Sequence, residues 1–204
     1  GDAAGKKTQA ELARDSIRRF REVTLLDFPR YEISLAGKLV KQALAGEYGD
    51  FRHLDPHLAS LPYTVDRIGA RETINAALSK SVVLCNRYVP SNAMYQAAKY
   101  TDARQQEEFI AWLEALEYEE LMLPRPNLVV YLHVPFEVSQ KLMDGRKKDV
   151  HEEDAEYLRT VVDLYLRTAS KRPNWTVIEC IRNGELMSRE EIHAIVTSRI
   201  GKYL

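Results

Sequence analysis

Four short runs of consecutive apolar residues narrow the folds open to this chain. They are Val23-Thr24-Leu25-Leu26, ending at Asp27; Ser81-Val82-Val83-Leu84-Cys85, bounded by Asn86-Arg87; Leu128-Val129-Val130-Tyr131-Leu132-His133-Val134, after Pro124-Arg125-Pro126; and Thr176-Val177-Ile178-Glu179-Cys180-Ile181. A run apolar at successive positions reads as a strand buried on both faces, the kind that parallel sheets use. Between the runs, apolar residues recur at helical spacing. Phe109, Trp112, Leu113 and Leu116 form one core-facing stripe, and Leu158, Val161, Val162, Tyr165 and Ala169 form another. The chain opens on a helical stretch from Lys6 to about Arg21. It closes on a helix started by the capping box Ser188-Arg189-Glu190-Glu191, with Ile192, Ile195, Val196 and Ile200 turned inward. Alternation of this kind predicts an α/β fold with a parallel central sheet between layers of helices. Its 204 residues, without repeats or a low-complexity linker, suit one domain over 1–204.

Composition removes several classes of partner. Lys and Arg number 29 against 30 for Asp and Glu, so no charge excess draws the chain to a nucleic-acid polymer or a membrane surface. Any anion must be held by groups placed locally. Cys85 and Cys180 are too far apart in sequence for a zinc site and lie in strand runs, which predicts buried thiols in a reducing compartment, the cytoplasm. No apolar run reaches the roughly 18 residues that span a bilayer, and no secretory signal is expected.

The segment Gly1-Asp2-Ala3-Ala4-Gly5-Lys6-Lys7-Thr8-Gln9 looks like the second half of a phosphate-binding loop. In the full motif a further glycine and a leading strand come earlier, so the pattern predicts a strand ahead of residue 1. Small residues at Ala3, Ala4 and Gly5 let backbone N–H groups turn toward phosphate, the helix N-terminus adds positive potential, and Lys6 supplies a mobile charge. Equally, such residues can simply precede an ordinary helix. Where the motif has a magnesium-binding Ser or Thr, this chain has Lys7, with Thr8 one step later and about 100° around the helix. Asp2, or acids from a distant loop, are the alternative metal ligands.

Three further stretches follow in order: Phe28-Pro29-Arg30-Tyr31, Tyr63-Thr64-Val65-Asp66-Arg67, and Asn86-Arg87-Tyr88-Val89-Pro90-Ser91-Asn92-Ala93-Met94-Tyr95-Gln96. With the phosphate-loop half, their order and spacing resemble the thymidylate kinases. That family carries D-x-x-G-K-x-T-Q, then Phe-Pro-Arg, then an aromatic-x-x-Asp-Arg segment, then D-R-Y-x-x-S-x-x-A-Y-Q. The resemblance runs from Gly1 to the C-terminal helix. It implies a three-layer P-loop kinase fold and a homodimer that moves the γ-phosphoryl group of ATP, with Mg2+, onto dTMP.

On single residues, Arg30 and Arg87 close two predicted strands, where α/β sheets bind ligands and guanidinium groups can fork onto phosphate. Surface salt bridges would explain either alone. The resemblance implies that they hold the acceptor phosphate, with Phe28, Pro29 and Tyr31 beside Arg30, and that Arg87 and Lys6 take part in catalysis. It implies also that Tyr63 stacks on the base, that Arg67 and Asn92 read its edge, and that Tyr95 packs on the sugar and disfavours a 2′-hydroxyl. Asn86 stands where the family has aspartate, which removes a negative charge near the metal.

The resemblance further implies a lid at about 144–156, carrying Asp144-Gly145-Arg146-Lys147-Lys148-Asp149. Some thymidylate kinases have a catalytic arginine in the phosphate loop; Ala3 and Ala4 stand there in this chain. Arg146 is then the first candidate for that charge, Lys147 or Lys148 the substitutes, and a solvated basic face the plain alternative. Asp154 is the acid implied near magnesium, although acids opening a helix also serve its dipole. Arg182, in Arg182-Asn183-Gly184-Glu185, falls where related kinases hold adenine, or in an ordinary turn. Two rival functions stand beside the first: a kinase for another monophosphate such as dUMP, and a nucleotide-binding homologue weakened in catalysis by Lys7 and Asn86.

Overall fold

The computed structural model describes residues 5–49, 51–143 and 154–204. In chain order these form α1 (Lys6–Ile17), β1 (Val23–Asp27), α2 (Leu35–Leu44), α3 (Pro56–Ile68), α4 (Arg71–Leu78) and β2 (Val82–Asn86). Then come α5 (Val89–Ala97), α6 (Ala103–Glu114), a π-helical turn (Ala115–Glu120), β3 (Val129–His133) and α7 (Phe136–Met143). Helix α8 (Ala155–Lys171), β4 (Trp175–Glu179), the short hairpin β5 (Ile181–Arg182) and β6 (Glu185–Leu186), and α9 (Arg189–Ile200) complete the fold. Asp2, Ala3, Ala4, Arg146, Lys147 and Lys148 lie outside the described residues.

Helix starts follow the capping chemistry of the sequence. Asp55, Asp102 and Asp154 each accept a backbone N–H in the first turn of α3, α6 and α8. Ser188 and Glu191 make both bonds of the capping box that opens α9. Ser34 accepts from the Gly37 N–H at 2.8 Å to open α2, while its hydroxyl donates to Asp66 Oδ1 at 2.5 Å.

Strands β1 and β2 pair in parallel, with Asp27 opposite Asn86, and β3 and β4 pair in parallel, with His133 opposite Glu179. The core forms on both faces of the second pair. Tyr131 of β3 packs with Met94, Phe109, Leu113, Leu158 and Trp175 from α5, α6, α8 and β4, its ring stacked 4.3 Å from that of Tyr165. The next residue, Leu132, points the other way, to Ala13, Ile192 and Val196 of α1 and α9. This two-residue alternation places one helix layer on each face, as a strand apolar on both sides requires.

Among the described residues the two parallel pairs flank a cavity of about 460 Å³ lined by Val82–Asn86 on one side and Leu128–Leu132 on the other. Two expectations need correction. The last long strand ends at Glu179, because Cys180 leads into the β5–β6 hairpin, whose turn residues Asn183 and Gly184 both have positive φ. Trp112 is 36% exposed, because the core stripe of α6 runs through Phe109 and Leu113 at a four-residue step.

The loop after β1 is pinned by close packing of α2. A Cβ on Gly37 would lie 2.3 Å from the Arg30 carbonyl oxygen. Gly37→Ala should therefore cost about 1–3 kcal/mol in urea unfolding. Gly201→Ala, at an ordinary helical φ of −55° with nothing within 4 Å, should be close to neutral.

Candidate active site

Lys6, Arg30 and Arg87 lie at the start of α1 and just beyond the C-terminal ends of β1 and β2. Gly5 precedes α1 in the left-handed region, φ 67°, and among the described residues the first turn has neither a side-chain cap nor an acidic residue. Its N–H groups and the Lys6 side chain therefore present positive potential at that end. Lys6 lines the cavity together with Asn86 and Arg87. Lys7 is exposed, whereas Thr8 is half-buried.

Beyond β1, the chain turns through a cis Phe28–Pro29 bond, with Phe28 buried against the Tyr88 ring. Tyr31 lies at the surface. Arg30 is gripped by Asp66 of α3: its backbone N–H donates to Oδ2 at 2.8 Å, its Nε to Oδ1 at 2.9 Å, and its Nη2 to the Asp66 carbonyl at 2.5 Å. The Asp66 side chain has no solvent exposure.

The next residue of α3, Arg67, is buried and faces the π-helical turn. Its Nε donates to Glu117 Oε2 at 2.6 Å, and its Nη2 makes a second, short bond to Oε1. The Thr64 hydroxyl donates to Oε1 at 2.8 Å and also lies 3.2 Å from the Ser60 carbonyl. That carbonyl accepts from Asn92 Nδ2 of α5 at 3.2 Å. Asn92 Oδ1 is buried and has no hydrogen-bond partner among the described residues, which leaves it open to accept from a ligand or a water.

Arg87 holds a left-handed backbone, φ 64°, immediately after β2. Such strain at a non-glycine residue is typical of positions where function dictates the direction of the side chain. Its guanidinium lies 5.5 Å from the centre of the Tyr95 ring. Tyr95 in turn is tied to α8, because the Tyr157 hydroxyl donates to its carbonyl at 2.5 Å. Tyr63, half-buried on α3, keeps its ring 6.5 Å from that of Phe51. The structure thus groups Arg87 with Tyr95, and Arg67 with Asn92, and holds Arg30 through the residue next to Arg67.

Other sequence candidates stand further out. Asp154 caps α8 by accepting the Tyr157 N–H at 3.0 Å. Arg182 pairs with Glu191 at 2.8 Å beside the hairpin turn. Burial pushes the Cys85 thiol up to about 12, so it stays protonated beside the site. No cluster of three or more His, Cys, Asp or Glu fit for a metal occurs among the described residues.

Sequence reasoning gave no role to Asp66, Glu117 or Asp27. Asp66 had a signal, its place in the Asp-Arg pair. Glu117 had one too, as it continues the buried Phe109–Leu113 spacing by four. Asp27 is a carboxylate at the ligand end of β1, directly opposite the amide of Asn86.

The comparisons with known proteins agree with one another. The sequence profile described as Thymidylate kinase matches residues 1–192. A Mycobacterium tuberculosis protein named thymidylate kinase is 34% identical over 179 residues, covering 83% of each chain. A probable thymidylate kinase of Methanocaldococcus jannaschii is 29% identical over 194 residues, covering 94% of this chain and 87% of the relative. Among solved structures, a Candida albicans thymidylate kinase matches with a TM-score of 0.76 at 19% identity, over 100% of this chain and 88% of that one, a likeness of fold.

The left-handed backbone at Arg87 separates the contribution of the side chain from that of the main chain. Arg87→Gly should be about 0.5–1 kcal/mol more stable than Arg87→Ala in thermal unfolding, because glycine adopts φ 64° without penalty. Both substitutions should abolish most nucleotide-dependent activity.

Proposed function

The chain belongs to the thymidylate kinase family of ATP-dependent nucleoside-monophosphate kinases, and on that premise we propose that it transfers the γ-phosphoryl group of ATP to dTMP, giving dTDP and ADP. The observation that carries the acceptor is the fixed pair of buried groups on α3 and α5. Arg67 is a donor that cannot lose its proton, and Asn92 Oδ1 is an unpartnered acceptor oriented through Ser60. A carbonyl beside an N–H, as on the edge of thymine, complements such a pair. Tyr63 offers its face to the base, and Tyr95 stands where the sugar would pass.

Phosphoryl transfer asks the protein for positioning and charge rather than covalent chemistry. Arg30, held by Asp66, and Arg87, held by its own backbone, meet the acceptor phosphate. Lys6 and the N–H groups opening α1 grip ATP, with Asp2, Ala3 and Ala4 as the rest of that loop by sequence. Arg146 is the sequence candidate for the charge on the migrating group, and Arg182 for the adenine end. Magnesium, brought with ATP, would neutralise phosphate charge. Hard oxygen donors suited to it at this end of the sheet are the Asp27 carboxylate and the Thr8 hydroxyl, with Asp2 and Asp154 the acids named by sequence. The cavity between β2 and β3 has the position and apolar lining for a further parallel strand leading into Gly5, which would complete the sheet.

The homodimer implied by the family is supported by Leu58, Leu61 and Val65, exposed on one face of α3 near the exposed Trp112 of α6. Among the described residues no helix is long and apolar enough to cross a membrane, and two free cysteines fit the cytoplasm.

A coupled ADP-release assay on the protein with Mg-ATP should give turnover with dTMP and at least tenfold less with dCMP or dGMP. Equal use of dCMP would overturn the base pocket, and binding without turnover would favour a non-catalytic homologue. Leu61→Glu should convert a dimer to a monomer in sedimentation velocity; an unchanged dimer would exclude this face.

A further inference from the structure

We propose that Glu117 is a positioning residue for the acceptor: its carboxylate holds the inner edge of the Arg67 guanidinium, and so fixes the outer edge against the nucleotide base. The inference rests on the acceptor pocket read above, and the experiment below separates the two.

Glu117 sits where an apolar side chain belongs. Phe109, Leu113 and Glu117 follow one another at four-residue steps on the stripe that α6 turns to the core, and all three are buried. The π-helical turn over Ala115–Glu120 ends this helix, with the Leu123 N–H bonded back to the Glu117 carbonyl at 2.9 Å and Met122 at φ 54°. The carboxylate has no solvent exposure and the Arg67 side chain only 3%. Both of its oxygens are nonetheless bonded, to Nε and Nη2 of Arg67 and to the Thr64 hydroxyl.

As a mere staple between α3 and the end of α6, this pair would be a poor choice. Two buried ions forfeit hydration, and an apolar pair of similar volume commonly does as well or better. What the ion pair adds is direction. Among the described residues Arg67 hydrogen-bonds only to Glu117, through Nε and Nη2, which leaves Nη1 uncommitted on the opposite edge. A planar guanidinium gripped at two points has no remaining torsional freedom. The same carboxylate orients Thr64, whose hydroxyl approaches the Ser60 carbonyl that also takes the Asn92 amide. Glu117 therefore places the donor of the base pocket, while the acceptor, Asn92, is held by the Ser60 carbonyl of the same helix, one turn before Thr64.

The test is a double-substitution cycle of Glu117→Gln and Arg67→Gln, read as dTMP affinity by titration calorimetry with kcat measured in parallel. Glu117→Gln alone should weaken dTMP binding about tenfold or more, the scale of a charged hydrogen bond, while kcat at saturation changes less than about twofold. In the Arg67→Gln background the same substitution should change dTMP affinity by less than about twofold, because Glu117 acts through Arg67. Should Glu117→Gln fail to fold, since it strands a buried charge, the cycle is closed with Glu117→Asp, which keeps the charge but withdraws it by one methylene. An equal loss of affinity in both backgrounds, or no loss in either, overturns the role of Glu117. Wild-type protein that binds no dTMP overturns the acceptor pocket itself, and this inference with it.

Discussion

Two carboxylates inside the protein, Asp66 and Glu117, hold two arginines, Arg30 and Arg67, and the acceptor side of the proposed site depends on these two clamps. Asp66 and Arg67 are neighbours on α3, and successive residues of a helix diverge by about 100°. One therefore turns toward the segment leaving β1 and the other toward the π-helical turn. A single dipeptide thus ties together the loop after β1, helix α3 and the end of α6. Each arginine is fixed on its inner edge before any ligand arrives, which is the preorganisation that charge stabilisation in a phosphoryl-transfer site requires. Charge neutrality makes the arrangement tolerable: each buried carboxylate faces one guanidinium and accepts three N–H or O–H donors in all.

The phosphate side uses a different economy of charge. There the backbone contributes through Gly5 in the left-handed region and a first turn of α1 without a side-chain cap among the described residues, with Lys6 beside it. Asn86, the residue that departs from the family pattern, lies in register with Asp27 across β1 and β2. A carboxylate is thus present at this end of the sheet, one strand away from its usual position. Lys7, the other departure, is exposed.

Much of the fold could be read in the chain because burial on both faces leaves a plain trace. Val82–Asn86 and Val129–His133 lie within one or two residues of their apolar runs, and the capping box at Ser188 forms as its spacing requires. The family stretches drew attention to Arg30, Arg67, Arg87 and Asn92, the residues of the proposed acceptor site. The partners of the arginines were harder to see. Glu117 lies among Glu114, Glu119 and Glu120, a composition that ordinarily denotes a solvated helix face, and a π-helical turn has no sequence signature comparable to a cap. Arg87 gave no warning of its positive φ, since a left-handed residue is readable from sequence chiefly when it is Gly or Asn. Four apolar runs do not by themselves state which edges meet, and among the described residues β2 and β3 face each other across a cavity.

The central claim is that the acceptor nucleotide lies with its phosphate between Arg30 and Arg87 and its base against Tyr63, Arg67 and Asn92. A crystal structure of the protein with dTMP tests this most directly. The account predicts the base edge within hydrogen-bond distance of Arg67 Nη1 and Asn92 Oδ1, with Arg67 still paired to Glu117. A base bound elsewhere, or an Arg67 that has left Glu117 to reach it, would contradict the account.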